Sequence, residues 1–305
     1  MPLVTSKELL EEAFRTGFAV GAFNANNMEM VQAIVEAAEE ERAPVIVQIS
    51  QGAIEYAGAE FMAAIVRVAA ERASVPVVCH LDHGLDLDIN VRCLKAGFTS
   101  LMIDGSALSF EENARLTREV VKLGHAVGIP VEGEIGKVPD AEKGPLSPEE
   151  LKDFLTTPEE AVRFVEATGV DFLAVSVGSA HRMKVQSANL DIERILAIRQ
   201  AVNIPLVLHG ASGVTDESVR AAVGAGIAKI NFATELNKAF TRNLRQKLAA
   251  DPEVVDVRKY TRPAREAVKE VVRQKIRLVG ADGKAGALAG LSRTPETRRT
   301  RELVE

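Results

Sequence analysis

Three histidines stand just beyond three separate apolar runs: His83 in VVCHLDHG, His181 in FLAVSVGSAH and His209 in IPLVLHG, with Asp82 directly ahead of the first. Imidazoles delivered from different strand ends can converge on one cation and leave a coordination position open, which makes the ion a Lewis acid. Glu132 and Glu134 in VEGEIG are two apart, so on a strand they share a face and either can add a carboxylate oxygen. Spacing alone leaves open which one approaches a metal. Asp104 closes a further apolar run and extends the candidate ligand set. Mixed nitrogen and oxygen donors suit Zn²⁺ or Co²⁺.

The elements that must carry these residues are short apolar runs at residues 19–23, 45–49, 77–81, 101–103, 131–135, 172–177, 206–208 and 229–232. Between them apolar residues recur three or four apart, as at Met28, Val31, Val35 and Ala38, or Leu116, Val120 and Leu123. Eight such alternations predict an α/β fold, a (β/α)8 TIM barrel rather than a doubly wound sheet. Pro44, Pro76, Pro130 and Pro205 each precede a strand run, where a missing amide proton costs least. With 305 residues and 47% hydrophobic content, the chain reads as one barrel domain over residues 1–280, with an extra C-terminal helix at 259–279. Residues 281–305 read as a polar tail, disordered or at a subunit contact. Residues 136–156 form a polar, Gly- and Pro-bounded insertion of the kind that closes over active sites.

The polar residues that stop the strand runs are Asn24, Ser50, Asp82 with His83, Asp104, Glu132 with Glu134, Ser176 followed by His181, His209, and Asn231. All fall at carboxyl ends, which in a barrel share the rim that carries active sites. Taken singly, Asn24, Ser50 and Asp104 are explained by hydrogen bonds to loop backbone; the set as a whole is not. His80 reads as a satisfied core imidazole and His125 as a surface residue of a helix. The small-residue turn from His209 through Gly210 and Ser212 to Gly213, and the strand-to-helix turn from Asn231 to Thr234, offer backbone amides to a phosphate. Lys184, in the loop beyond His181, adds a candidate cationic contact.

A net charge of −6 provides no basic field for nucleic acid or an anionic membrane, so any phosphate recognition is local. Cys79 and Cys93, the only cysteines, read as reduced core thiols. The first seventeen residues lack an apolar signal segment and no run approaches the ~18 residues of a membrane span, so the expected location is the cytoplasm. A Schiff-base mechanism needs a desolvated lysine inside the barrel. The sixth run has none, Lys184 lies in a loop and Lys229 is expected at the far rim, so a metal route is favoured.

The segments CHLDHG (79–84), GFTSLMIDGS (97–106), VEGEIG (131–136), HGASG (209–213), KINFATE (229–235) and DVRKYTRPAREAV (256–268) occur in an order that resembles the class II, metal-dependent fructose-bisphosphate aldolases and their tagatose-bisphosphate relatives, over about residues 1 to 280. The resemblance implies Zn²⁺ or a similar ion on His83, His181 and His209, with Glu134 as a further ligand. It implies that Asp82 takes and returns the C4 hydroxyl proton, that Glu142 moves the proton at C3 of dihydroxyacetone phosphate, and that Asn231 contacts the enediolate. Gly210, Ser212 and Thr234 match the surroundings of the C1 phosphate. Ser50 and Arg258 match groups near the C6 phosphate, the arginine coming from a partner subunit of a homodimer or homotetramer. A monovalent cation (K⁺, Na⁺ or NH₄⁺) near these loops is also implied.

Two residues depart from the family pattern. Arg182 stands where many members have glycine, and Ala233 where fructose-specific members of one subgroup carry aspartate and tagatose-specific members alanine. Cleavage of fructose 1,6-bisphosphate to dihydroxyacetone phosphate and glyceraldehyde 3-phosphate is the expected activity, with tagatose 1,6-bisphosphate cleavage as its nearest rival. A metal-dependent barrel hydrolase would use similar ligands, and a non-catalytic sugar-phosphate sensor would need neither Asp82 nor Glu142.

Overall fold

Eight runs buried almost throughout their length pair in parallel: β1 (Val20–Asn24), β2 (Val45–Ser50), β3 (Val77–Asp82), β4 (Leu101–Ile103), β5 (Val131–Ile135), β6 (Phe172–Val175), β7 (Leu206–Leu208) and β8 (Ile227–Phe232). The computed structural model describes residues 3–139, 154–181 and 186–288. Strand order is β3-β2-β1-β8-β7-β6-β5-β4, and the two ends of that order meet through isolated bridges, His80 with Ser100 and Gly84 with Ile103. The sheet is therefore a nearly closed barrel, as the eightfold alternation requires.

Around it stand α1 (Ser6–Thr16), α2 (Met28–Glu40), α3 (Gln51–Ala57), α4 (Ala59–Arg72), α5 (Leu87–Ala96), α6 (Phe110–His125), α7 (Pro158–Thr168), α8 (Ile192–Val202), α9 (Asp216–Ala225), α10 (Thr234–Ala250) and α11 (Val257–Leu278). Their starts are written in the sequence. Ser109 with Glu112 and Thr157 with Glu160 form capping boxes on α6 and α7, each satisfying two backbone amides that the helix leaves orphaned. The N-terminal segment covers the far rim: the Val4 amide donates to the Val77 carbonyl at 3.0 Å and the Ser6 hydroxyl to that of Ser100 at 2.7 Å.

One expectation needs correction. β8 begins at Ile227, so Lys229 is its third residue and lies fully buried inside the barrel instead of at the far rim. A lysine ahead of an apolar run reads as a boundary, but here Glu132 neutralises it across the barrel at 2.8 Å. Beyond α11, residues 281–288 are tied to the turn after α2. The Gly283 and Ala285 amides donate to the carbonyls of Glu41 and Arg42, and the Glu41 carboxylate accepts from Arg273 and Arg277 of α11. No helix among the described residues is long and apolar enough to cross a membrane.

β5 shows how packing outside the barrel fixes a site residue inside it. Glu132 and Glu134 point inward, and Gly133 between them faces α7, where an added Cβ would lie 2.9 Å from the Phe164 ring. Phe164 fills that space with no exposure and meets Phe110 edge-on at 6.1 Å. Phe164→Ala is expected to lower stability by about 3–5 kcal/mol, read as an earlier midpoint in urea unfolding.

Candidate metal centre and active site

His83, His181 and His209 converge at the carboxyl rim, with one ligand nitrogen from each lying within 4.8 Å of the others. His83 follows β3 in the left-handed region, at φ 51°, a conformation costly for a non-glycine residue. Gly210, at φ 67°, follows His209; a Cβ there would lie 2.8 Å from the Ala180 backbone, so only glycine lets the segment carrying His181 close on β7. Glu134 Oε2 stands 3.1 Å from His209 Nδ1 and 3.6 Å from His83 Nδ1. Asp104 Oδ2 lies 2.6 Å from His83 Nδ1, while its other oxygen accepts from the Ser106 amide and hydroxyl. His83, Asp104 and Glu134 form a second cluster within the same 4.8 Å limit.

The donor set fits a divalent cation. Glu134 Oε2 and His209 Nδ1 are buried and face each other at 3.1 Å without hydrogen-bond geometry, neither has another partner, and both face the cluster. Such orphaned atoms are uncommon unless something binds them. The charges point the same way. Burial works against a charged His83, yet Asp82, the hydrogen bond to Asp104 and Glu134 push it up to about 10, so the carboxylates here demand positive charge. Burial, followed by the charges of His83 and His209, pushes His181 down to about 3, which keeps it a neutral imidazole able to ligate.

Asp82 ends β3 inside a belt of amides. Gln48 Nε2 donates to Asn24 Oδ1 at 2.6 Å, Asn24 Nδ2 to Asp82 Oδ2 at 2.7 Å, and Asn231 Nδ2 to Asp82 Oδ1 at 3.1 Å. Register puts these donors there: Asn24 pairs with Gln48 across β1 and β2, and Ser50 with Asp82 across β2 and β3. Burial alone would raise the Asp82 carboxyl; the charges of His83, His209 and Lys229, with the Asn24 hydrogen bond, hold it below the usual carboxylate range. Both oxygens accept, and the group is a fixed, ionised proton acceptor.

The centre opens into a cavity of about 460 Å³ lined by Asn24, Ser50, Asp82, His83, Asp104, Glu134, His181, Gly210, Ser212, Asn231 and Thr234, all of them sequence candidates. Asn26, Ser106 and Asn237 also line it and were not anticipated, nor was Gln48 behind Asn24. Asn237 lies three residues beyond Thr234, about one helical turn, so helix periodicity was the available signal. Ser50 accepts from the Ala53 amide as the cap of α3. α10 has no side-chain cap, because its N-cap is Ala233, and its first turn borders the cavity through Thr234. Arg258 lies elsewhere, exposed and paired with Asp256. Glu142, Arg182 and Lys184 lie outside the described residues.

As expected, His80 is a bonded core imidazole, 2.7 Å from Ser100, and His125 sits on the surface beside Asp171. Cys79 and Cys93 are buried and free, and burial pushes both thiols up.

Fold and site together define a barrel with a candidate metal-binding cluster of histidines and carboxylates at its carboxyl rim. The sequence matches the family model of class II fructose-bisphosphate aldolases over residues 4–284, and the chain belongs to that family. It is 44% identical to a fructose-bisphosphate aldolase of Thermus caldophilus, covering 93% of this chain and 100% of that one. It is 41% identical to a sulfofructosephosphate aldolase of Alkalicoccus urumqiensis, covering 93% and 99%. Among solved structures, the YdjI aldolase of Escherichia coli K12 superposes with a TM-score of 0.80 at 37% identity, covering 93% and 99% of the two chains.

Proposed function

We propose that this chain cleaves fructose 1,6-bisphosphate reversibly into dihydroxyacetone phosphate and glyceraldehyde 3-phosphate in the cytoplasm, with a divalent cation on His83, His181 and His209 and Glu134 as a further ligand. The observation that carries the reading is the meeting of those imidazoles beside a buried Asp82 whose two oxygens are both held by amides. When bound, Zn²⁺ or Co²⁺ supplies Lewis-acid stabilisation of the negative charge released by carbon–carbon cleavage.

The chain's own residues do the rest. Asp82 accepts the C4 hydroxyl proton during cleavage and returns it during condensation, a task that suits a fixed carboxylate. Asn231, in the cavity wall, donates to the oxygen that gains charge. Asp104 turns His83 through their 2.6 Å contact. Gly210, Ser212 and Thr234 hold the C1 phosphate beside the uncapped start of α10, with a monovalent cation near the same loops. Ser50 and Lys184 of this chain, with Arg258 of the partner subunit in a homodimer or homotetramer, serve the other phosphate, and Asn24 keeps Asp82 in place. Glu142 exchanges the proton at C3.

A second reading, sulfofructose phosphate as substrate, is favoured by the relative from Alkalicoccus urumqiensis. Ala233 in the cavity wall keeps tagatose 1,6-bisphosphate as a third. The test is kcat/KM for all three on the Zn²⁺-loaded protein, where fructose 1,6-bisphosphate is expected to lead by about tenfold or more. A lead for another sugar transfers the substrate assignment to it, and phosphate release without triose phosphates points to a hydrolase.

A further inference from the structure

We propose that Glu132 is a positioning residue for the metal centre, held in turn by Lys229, so that His209 meets the cation through Nδ1 alone. The inference rests on the metal reading above and extends it to two buried groups that the reaction leaves without a task.

Neither side chain has any exposure and neither lines the cavity, so neither can touch substrate. Glu132 Oε1 lies 2.9 Å from His209 Nε2, and Oε2 accepts from Lys229 Nζ at 2.8 Å. Lys229 also lies 3.3 Å from His80 Nε2, and His80 Nδ1 lies 2.7 Å from the Ser100 hydroxyl. A string of polar groups therefore runs from the far rim to the back of a candidate ligand.

Donor and acceptor rules fix its direction. An ammonium only donates, so His80 Nε2 accepts and its proton sits on Nδ1, toward Ser100. With Lys229 as countercharge at 2.8 Å the fully buried Glu132 stays anionic, and an anionic carboxylate only accepts. The proton of His209 is thereby assigned to Nε2 and the lone pair to Nδ1. Nδ1 is also the nitrogen that faces Glu134 and lacks a hydrogen-bond partner. A carboxylate behind a ligating imidazole sets its tautomer and ring angle, and losing such a partner typically costs 10–100-fold in metal affinity. Asp104 stands in the same relation to His83.

The rival account is that Lys229 and Glu132 only fill the barrel. Glu132→Gln, Lys229→Met and the double variant, each with metal-free protein titrated with Co²⁺ against a chromophoric chelator, separate the two. Glu132→Gln is expected to weaken Co²⁺ binding about 10–100-fold and to alter the visible absorption of the bound ion. Lys229→Met is expected to do likewise, and the double variant to be no weaker than Glu132→Gln, because the lysine acts through the glutamate. Variants that melt earlier yet keep wild-type affinity and absorption overturn the proposal and leave the metal reading intact. Failure of the unaltered, folded protein to take up Co²⁺ overturns both.

A second measurement needs no variant. In the Zn²⁺-loaded protein with ¹⁵N-labelled histidine, His209 is expected to show a protonated Nε2 and a ligated Nδ1. The opposite assignment overturns the proposal.

Discussion

Dialysis against a strong chelator is expected to abolish cleavage of fructose 1,6-bisphosphate, and one equivalent of Zn²⁺ or Co²⁺ to restore it. A Lewis acid at the carbonyl contributes several kcal/mol to the transition state. At about 1.36 kcal/mol per factor of ten, its removal costs on the order of 10³-fold or more. Stability should fall with activity, since a ligand of the folded state at about 1,000 times its Kd adds about 4 kcal/mol. The lysine route offers no substitute. Lys229 is inside the barrel, but its ammonium is bonded to Glu132 and lies outside the cavity lining, so borohydride added with substrate is expected to leave the enzyme active. Activity that survives chelation, together with a trapped lysine adduct, would overturn the metal mechanism.

Asp82→Ala is expected to reduce cleavage by about 10²–10⁴-fold, the usual worth of a positioned proton acceptor. The metal content should not change, because the three-histidine cluster does not include Asp82. Exchange of the dihydroxyacetone phosphate C3 proton should remain measurable, since that step belongs to Glu142, and Glu142→Ala should give the reverse pattern. Measuring cleavage and solvent tritium exchange side by side separates these roles. Loss of both activities in Asp82→Ala with a full complement of metal would mean that the aspartate serves the later step as well. Cleavage that persists would remove it from the role of proton acceptor.

The barrel and its rim were legible because a parallel strand buried on both faces reads as an unbroken Val- and Ile-rich run, so each polar residue that stops one marks its carboxyl end. Asp82, His83 and His209 could be chosen on that ground alone, and His181 through its place in the loop that follows Ser176. Glu132 and Glu134 could not be told apart, because residues two apart share a face and only depth along β5 separates them. Glu134 sits near the rim with the histidines, and Glu132 one layer deeper with Lys229. Lys229 was misplaced because its partner arrives from another strand, 97 positions away in the chain. Gln48 was invisible for a related reason: a polar residue inside a strand run gains meaning only when register sets it beside Asn24. Asn26 and Ser106 reach the cavity through turns that periodicity does not resolve, whereas Asn237 follows Thr234 by one turn of α10.

Anomalous scattering at the zinc edge, from crystals of Zn²⁺-loaded protein, addresses the central claim most directly. The account predicts a strong peak within about 2.0–2.1 Å of one nitrogen each from His83, His181 and His209. A peak held only by Asp104 and Glu134, or no peak at the carboxyl rim in fully active protein, would contradict it.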